Sequence, residues 1–266
     1  MENKKSLQVL LSAMHLKDAS YIKGLNISGD CLIINQCDRE EEQELIEERP
    51  AGGSRRVEFC CNRDRGLSKS RNLAIRKSRG DICIFCDNDV VYEEDYEDRI
   101  LSAFERNPEA GVIVFFIERP ERNKPVKQQE GPLGYVGAMK IFSPEIAFRR
   151  EALLRAGLCM DERFGAGAEY MMGEENIFLF EAIKRGMQVI YVPEKIAHLR
   201  ENESSWFKGY NEKYFISRGA GYRVMSPGFY ILLILQFALR KYGLYRSDMG
   251  FFKAVRYMLE GSRQVG

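Results

Sequence analysis

Apolar and β-branched residues gather in short runs at 8–13, 31–35, 57–61, 81–86 and 111–117. Each run is compact enough for a buried strand, and the intervals between them leave room for helices. In 67–78, Leu67, Ala74 and Ile75 mix with Lys69, Arg71, Arg76 and Lys77, which predicts a helix with one buried face. The stretch 94–107 is the next helix, ended by Pro108. Strands alternating with helices predict an α/β fold with a mainly parallel central sheet covered on both faces. In such sheets ligands bind at the carboxyl ends of the strands, so the residues after each strand carry the chemical interest.

The middle of the chain, 120–144, is rich in Lys, Gln, Gly and Pro without a period, and reads as a long loop holding at most one strand. The pattern resumes with a helix at 149–156, a glycine-broken stretch at 164–173, a helix at 174–185 and a strand at 188–192, followed by a turn at Pro193-Glu194. Toward the C-terminus, 226–243 starts with a proline and ends with cations and glycine, which predicts one short helix whose apolar residues surround most of its circumference. The stretch 251–259 repeats the mixture of apolar and cationic residues. This segment either packs on the core or lies in a membrane interface with Arg240, Lys241 and Arg246 toward lipid headgroups. It does not span a bilayer: the longest apolar run, 229–239, is broken by Gln236 and falls short of the roughly 18 to 20 residues required.

Composition narrows the classes. The 266 residues, 45% hydrophobic, support a substantial core. The 40 basic and 39 acidic side chains nearly cancel, which gives no argument for nucleic acid as a partner. Seven cysteines and the absence of a secretory pattern in the polar start point to a reducing cytoplasm. Cys83 and Cys86 form a lone C-x-x-C without the second pair that a zinc site needs, so they read as core thiols.

The strand at 81–86 runs directly into Asp87-Asn88-Asp89, delivering two carboxylates to the ligand-binding edge. Hard cations such as Mg²⁺ and Mn²⁺ take oxygen ligands and share their shell with substrate phosphates, which suits one or two carboxylates. The plain alternative is a solvated acidic cap. Arg65-Gly66-Leu67-Ser68-Lys69-Ser70-Arg71-Asn72 opens a helix with three cations, hydroxyls and a glycine, a combination that favours anions; its alternative is an ordinary helix start with solvated cations.

In this order and placement, with Gly173-Glu174-Glu175-Asn176 before a later helix, these motifs resemble family 2 glycosyltransferases with the GT-A fold, of the bacterial surface-polysaccharide type. The resemblance covers roughly residues 7–198. It implies an inverting transferase that moves a sugar from a nucleotide-sugar to a hydroxyl of a glycan or lipid-linked acceptor, with Mn²⁺ or Mg²⁺ as cofactor. Asp89 would bind the metal, Asp87 would contact the donor ribose or the metal shell beside Asn88, and Arg65, Ser68 and Arg71 would lie at the nucleotide. His198, in Ala197-His198-Leu199-Arg200, would complete the metal site. Glu175 falls where the family keeps its base, with Glu174 as competitor; their alternative is a helix start complemented by acids. The glycines of 164–173 let backbone approach a sugar, which puts Phe164 and Gly165 on the acceptor side.

One departure concerns the second strand, which ends in Asn35-Gln36-Cys37-Asp38 where the family usually has aspartates. Asn35 or Gln36 would then meet the base, and UDP carrying glucose, galactose or an N-acetylhexosamine is the expected donor. The resemblance implies a GT-A catalytic domain at 1–222, a C-terminal helical segment at 223–266, and a cytoplasmic location, peripheral at the inner membrane face if that segment meets lipid. Two other classes compete. A metal-dependent nucleotidyltransferase would show a glycine-rich basic loop after its first strand, whereas this chain has Leu10-Leu11-Ser12-Ala13-Met14-His15. A non-catalytic sugar-nucleotide-binding partner would share the motifs without turnover.

Overall fold

The computed structural model describes residues 5–49, 52–120, 122–200, 207 and 209–266. The polar tip at 1–4 lies outside the described residues. Strands appear in chain order as β1 (Leu7–Met14), β2 (Asp30–Gln36), β3 (Glu41–Glu48), β4 (Ser54–Asn62), β5 (Ile82–Asp87), β6 (Val90–Tyr92), β7 (Ala110–Glu118), β8 (Gly131–Pro132), β9 (Ile146–Arg149) and β10 (Gln188–Leu199). The helices are α1 (Leu67–Lys77), α2 (Tyr96–Arg106), α3 (Tyr135–Ala138), α4 (Arg150–Ala156), α5 (Glu174–Lys184), α6 (Glu212–Met225), α7 (Tyr230–Tyr245) and α8 (Phe251–Gln264).

All strands join one sheet in the order β3-β4-β2-β1-β5-β9-β7-β10-β6, with β8 paired to β10. The four apolar runs of the first third form β1, β2, β4 and β5, which are mutually parallel, so their carboxyl ends share an edge. Alternation along each strand feeds two cores. In β1, Leu10 enters the layer shared with α1, α4, α5, α6, α7 and α8, while Val9 and Leu11 enter the layer under α2 and the short helical turn Ala19–Leu25. This is the mixed α/β architecture with C-terminal helices expected from the sequence.

Three features differ from the sequence reading. β3 is an antiparallel edge strand of five Glu, one Gln, Leu45 and Ile46; it is held to β4 by Glu47–Arg55 at 2.5 Å and Glu44–Arg56 at 3.4 Å. Its polarity hides it from periodicity, yet charge on an edge blocks further strand pairing. β10 continues through Pro193 to Leu199, because register shifts against β7 absorb the proline where a turn was expected. The division expected at 222/223 falls inside α6. That helix crosses α8 at near backbone contact: a Cβ on Gly219 would collide with the backbone of Met258, and one on Gly261 with that of Ile216. The C-terminal helices therefore pack on the core as an integral layer. Among the described residues no helix is long and apolar enough to cross a membrane.

Candidate active site

The carboxyl edge gathers side chains from three elements. β5 ends at Asp87, and parallel pairing sets Ser12 of β1 beside it. The turn that follows is pinned on both sides: Tyr21 Oη donates to the Asn88 carbonyl at 2.9 Å, and the Arg200 N–H donates to the Asp89 carbonyl at 2.9 Å. The Asn88 side chain is left exposed.

Arg71 projects from α1 into the space between this turn and the start of α5. Its guanidinium is 1% exposed and forks, donating from one Nη to Asp87 at 2.8 Å and from the other to Glu174 at 3.1 Å. Phe85 lies beneath it, 5.7 Å from ring centre to guanidinium carbon. Burial opposes the charge of Arg71, but Asp87 and Glu174 outweigh that and hold its pKa above the ordinary value. Each Nη thus has a protein acceptor, which makes Arg71 the link between the two acidic motifs.

Glu174 is buried against Arg71, whereas the neighbouring Glu175 is half-buried and has no ion pair among the described residues. Burial, and then the charge of Glu174, push the Glu175 carboxyl up to about 8. Asp89 also makes no ion pair among the described residues; burial and the charge of Asp87 raise its pKa.

The loop before α5 closes against α1. The Ser68 hydroxyl donates to the Phe164 carbonyl at 2.6 Å, and the Leu67 N–H donates to the Ala166 carbonyl at 2.9 Å. Gly165 sits here at φ +107°, and a Cβ on it would lie 3.2 Å from both Ser68 Oγ and the Glu174 carboxyl carbon. Only glycine combines that backbone with that approach. The helix start read as an anion site thus has its first amide committed to the fold, and Ser68 is buried. Arg65 remains at the surface, ion-paired with Asp38 at 2.6 Å. It lines, with Lys69, Asp161, Glu162, Arg163 and Glu169, a hollow of about 450 Å³ that includes none of Asp87, Asp89, Glu174 and Glu175.

Other expected site residues lie elsewhere. Asn35 is fully buried, exchanging hydrogen bonds with the Leu16 backbone at 2.9 and 3.0 Å and donating to Cys61 Sγ at 3.3 Å. It fastens the loop after β1, so it is not at hand for a uracil edge. Gln36 accepts from the Gly66 N–H at 2.8 Å and positions the α1 start. Phe164 is buried and stacked on Tyr170 at 4.8 Å, a core contact and not an acceptor platform. His198 is exposed, pairs with Val91 of β6 along the backbone and leans toward Glu93, 3.6 Å from Nδ1. Cys83 and Cys86 are buried free thiols.

Among the described residues no three His, Cys, Asp or Glu side chains converge as a metal cage. Asp87 and Asp89 nevertheless suit a hard cation: both are oxygen donors, and burial followed by the charge of Asp87 raises the pKa of Asp89, a cost that a bound cation would relieve.

Sequence reasoning missed Arg218 of α6. It lies over the rings of Phe237, Tyr214 and Tyr222 at 5.0, 5.3 and 6.0 Å, donates to Tyr214 Oη at 2.8 Å, and senses the charge of Glu175. Its signal was legible as Tyr214, Arg218 and Tyr222 at four-residue spacing, which puts all three on one helix face.

The sequence model for the family described as Glycosyl transferase family 2 matches residues 29–166, just over half of the 266 residues. No curated protein matches the chain by sequence. Among solved structures, the crystal structure of S. aureus TarS 1–349 in complex with UDP-GlcNAc superposes with a TM-score of 0.62 at 13% identity, covering 91% of this chain and 74% of that one. S. aureus TarS 1–349 without a stated ligand gives 0.60 at 11% identity, with 91% and 73% covered. The mannosyltransferase PcManGT from Pyrobaculum calidifontis, in complex with GDP-Man and Mn²⁺, gives 0.54 at 14% identity, with 99% and 74% covered. At these identities the likeness is one of fold.

Proposed function

The chain belongs to glycosyl transferase family 2 and is a glycosyltransferase, and from that premise we propose that it transfers a hexose or N-acetylhexosamine from UDP to a hydroxyl of a glycan or lipid-linked saccharide, with inversion at the anomeric carbon. The observation that carries this reading is the single buried Arg71 bridging Asp87 at a strand end and Glu174 at a helix start. It gathers the D-N-D and E-E motifs around one centre.

In this reading Asp89, with Asp87, holds Mn²⁺ or Mg²⁺, which when bound supplies positive charge against the departing diphosphate. The structures with UDP-GlcNAc, and with GDP-Man and Mn²⁺, support a nucleotide-sugar donor and a divalent cation. Glu175 is the base. The acceptor oxygen bonds to the anomeric carbon as the bond from that carbon to the diphosphate breaks, and the hydroxyl proton passes to the Glu175 carboxylate. Glu174 is the poorer base because its carboxylate is ion-paired with Arg71. Arg71 orients Asp87 and Glu174, and Gly165 lets the loop close over Glu174.

The test is incubation with Mn²⁺ and a panel of UDP-sugars, reading slow hydrolysis of one donor. Hydrolysis lost on chelation and in Glu175→Gln supports the proposal. Donor binding without any turnover, in the presence of acceptor candidates, favours a non-catalytic partner.

A further inference from the structure

The outer face of α7 presents a surface that the catalytic reading does not use. This helix buries Ile234, Ala238 and Tyr245. The opposite side carries Leu232, Leu235 and Leu239 at three- and four-residue spacing, exposed by 62%, 40% and 67%, flanked by Ile231 and Leu244. Phe252, 86% exposed at the start of α8, follows Phe251, whose ring meets Tyr242 of α7 at 6.0 Å. Contiguous exposed apolar surface of this kind marks an interaction site.

Charge identifies the partner. From Ser226 to Ser247 there is no acidic residue, while Arg240, Lys241 and Arg246 are exposed. Residues 226–266 hold six basic against two acidic side chains, in a chain whose totals almost cancel. A second copy of this face would bring apolar stripe to apolar stripe but set cations with no acid to meet them. Phosphate headgroups over a hydrocarbon layer satisfy both parts at once. Neither α7 nor any other described helix is long and apolar enough to span, so the helix lies along the surface.

We propose that the exposed face of α7, with Phe252, docks the protein in the plane of an anionic lipid surface. The backbone-close packing of α6 on α8 through Gly219 and Gly261 makes this face part of the rigid body. Docking is independent of donor identity and of catalysis, so its failure and that of the catalytic reading are separate events.

The test is flotation of the full chain with phosphatidylcholine vesicles, with and without phosphatidylglycerol, at low and high salt. The expected result is flotation that depends on the anionic lipid and weakens with salt. Leu232→Ser with Leu235→Ser and Leu239→Ser abolishes it, and Arg240→Gln with Lys241→Gln weakens it by roughly fivefold per cation removed. All five positions are exposed, so the variants keep the wild-type melting temperature and rate of donor hydrolysis. No flotation on anionic vesicles overturns the proposal, as does flotation that neither set of substitutions changes. A dimer in sedimentation that the leucine substitutions dissociate, without flotation, assigns the face to a second copy and also overturns it.

Discussion

Replacing Arg71 by methionine keeps most of the volume of the side chain and removes the one cation that Asp87 and Glu174 share. The Glu174 side chain is 7% exposed and cannot turn to water, whereas Asp87, 27% exposed, can do so in part. Stranding one partner of a buried ion pair costs about 3–5 kcal/mol, and partial hydration of Asp87 puts the expected loss near the lower limit, about 3 kcal/mol. For a chain of this size that lowers the melting temperature by roughly 6–12 °C. Urea unfolding of Arg71→Met, Glu174→Gln and the double variant measures the coupling. Glu174→Gln in the Arg71→Met background removes the stranded charge and should recover on the order of half the loss. Arg71→Lys supplies a point charge that lacks the fork, and should fall between wild type and methionine. A loss under about 1 kcal/mol in Arg71→Met, below the range for a buried pair, or no coupling to Glu174, would refute the view that Arg71 holds the two acidic motifs together.

The raised pKa of Glu175 sets a pH signature. Because the folded state binds this proton more tightly than the unfolded chain, the contribution to stability is complete below the ordinary carboxyl value of 4.5 and is lost as pH rises toward about 8. Glu175→Gln should flatten that decline in a melting series, and should cut transfer by roughly two to four orders of magnitude with donor affinity unchanged. In the wild type kcat/KM should climb through the same window; Glu174→Gln, which removes the Glu174 charge that helps raise the Glu175 pKa, should move the rise to lower pH. The α6–α8 crossing predicts that Gly219→Ala, whose methyl meets the Met258 backbone, destabilises by about 1–3 kcal/mol or more, read by chemical denaturation, and a melting temperature within a degree of wild type would contradict that packing.

Much of this architecture was legible because buried parallel strands carry runs of apolar residues. The runs that became β1, β2, β4, β5 and β7 announced themselves, and the position of Asp87 at the end of β5 followed from the chain. β3 was not legible, since an edge strand of glutamates satisfies its backbone without any apolar signal. Asn35, Ser68 and Phe164 were read as ligand contacts, but tertiary packing turned their polar atoms and rings inward, a fate that residue type alone does not reveal. The bridging role of Arg71 required α1 and α5, 103 residues apart at the contact, to meet over one edge. For Arg218, the Tyr214-Arg218-Tyr222 spacing lay in the sequence, but the third ring, Phe237, comes from another helix and only the fold brings it there.

The central claim is that Asp89, beside Asp87, supports cation-dependent binding of a nucleotide-sugar diphosphate. Titration calorimetry of UDP into wild type and Asp89→Ala, each with and without Mn²⁺, addresses it directly. Wild-type binding should strengthen with Mn²⁺, and Asp89→Ala should lose this gain, roughly tenfold or more because one of only one or two protein ligands is gone. Its melting temperature should not fall, since burial and the neighbouring Asp87 hold the Asp89 charge at a cost. UDP affinity that is indifferent to Mn²⁺ in the wild type, or unchanged by Asp89→Ala, would contradict the account.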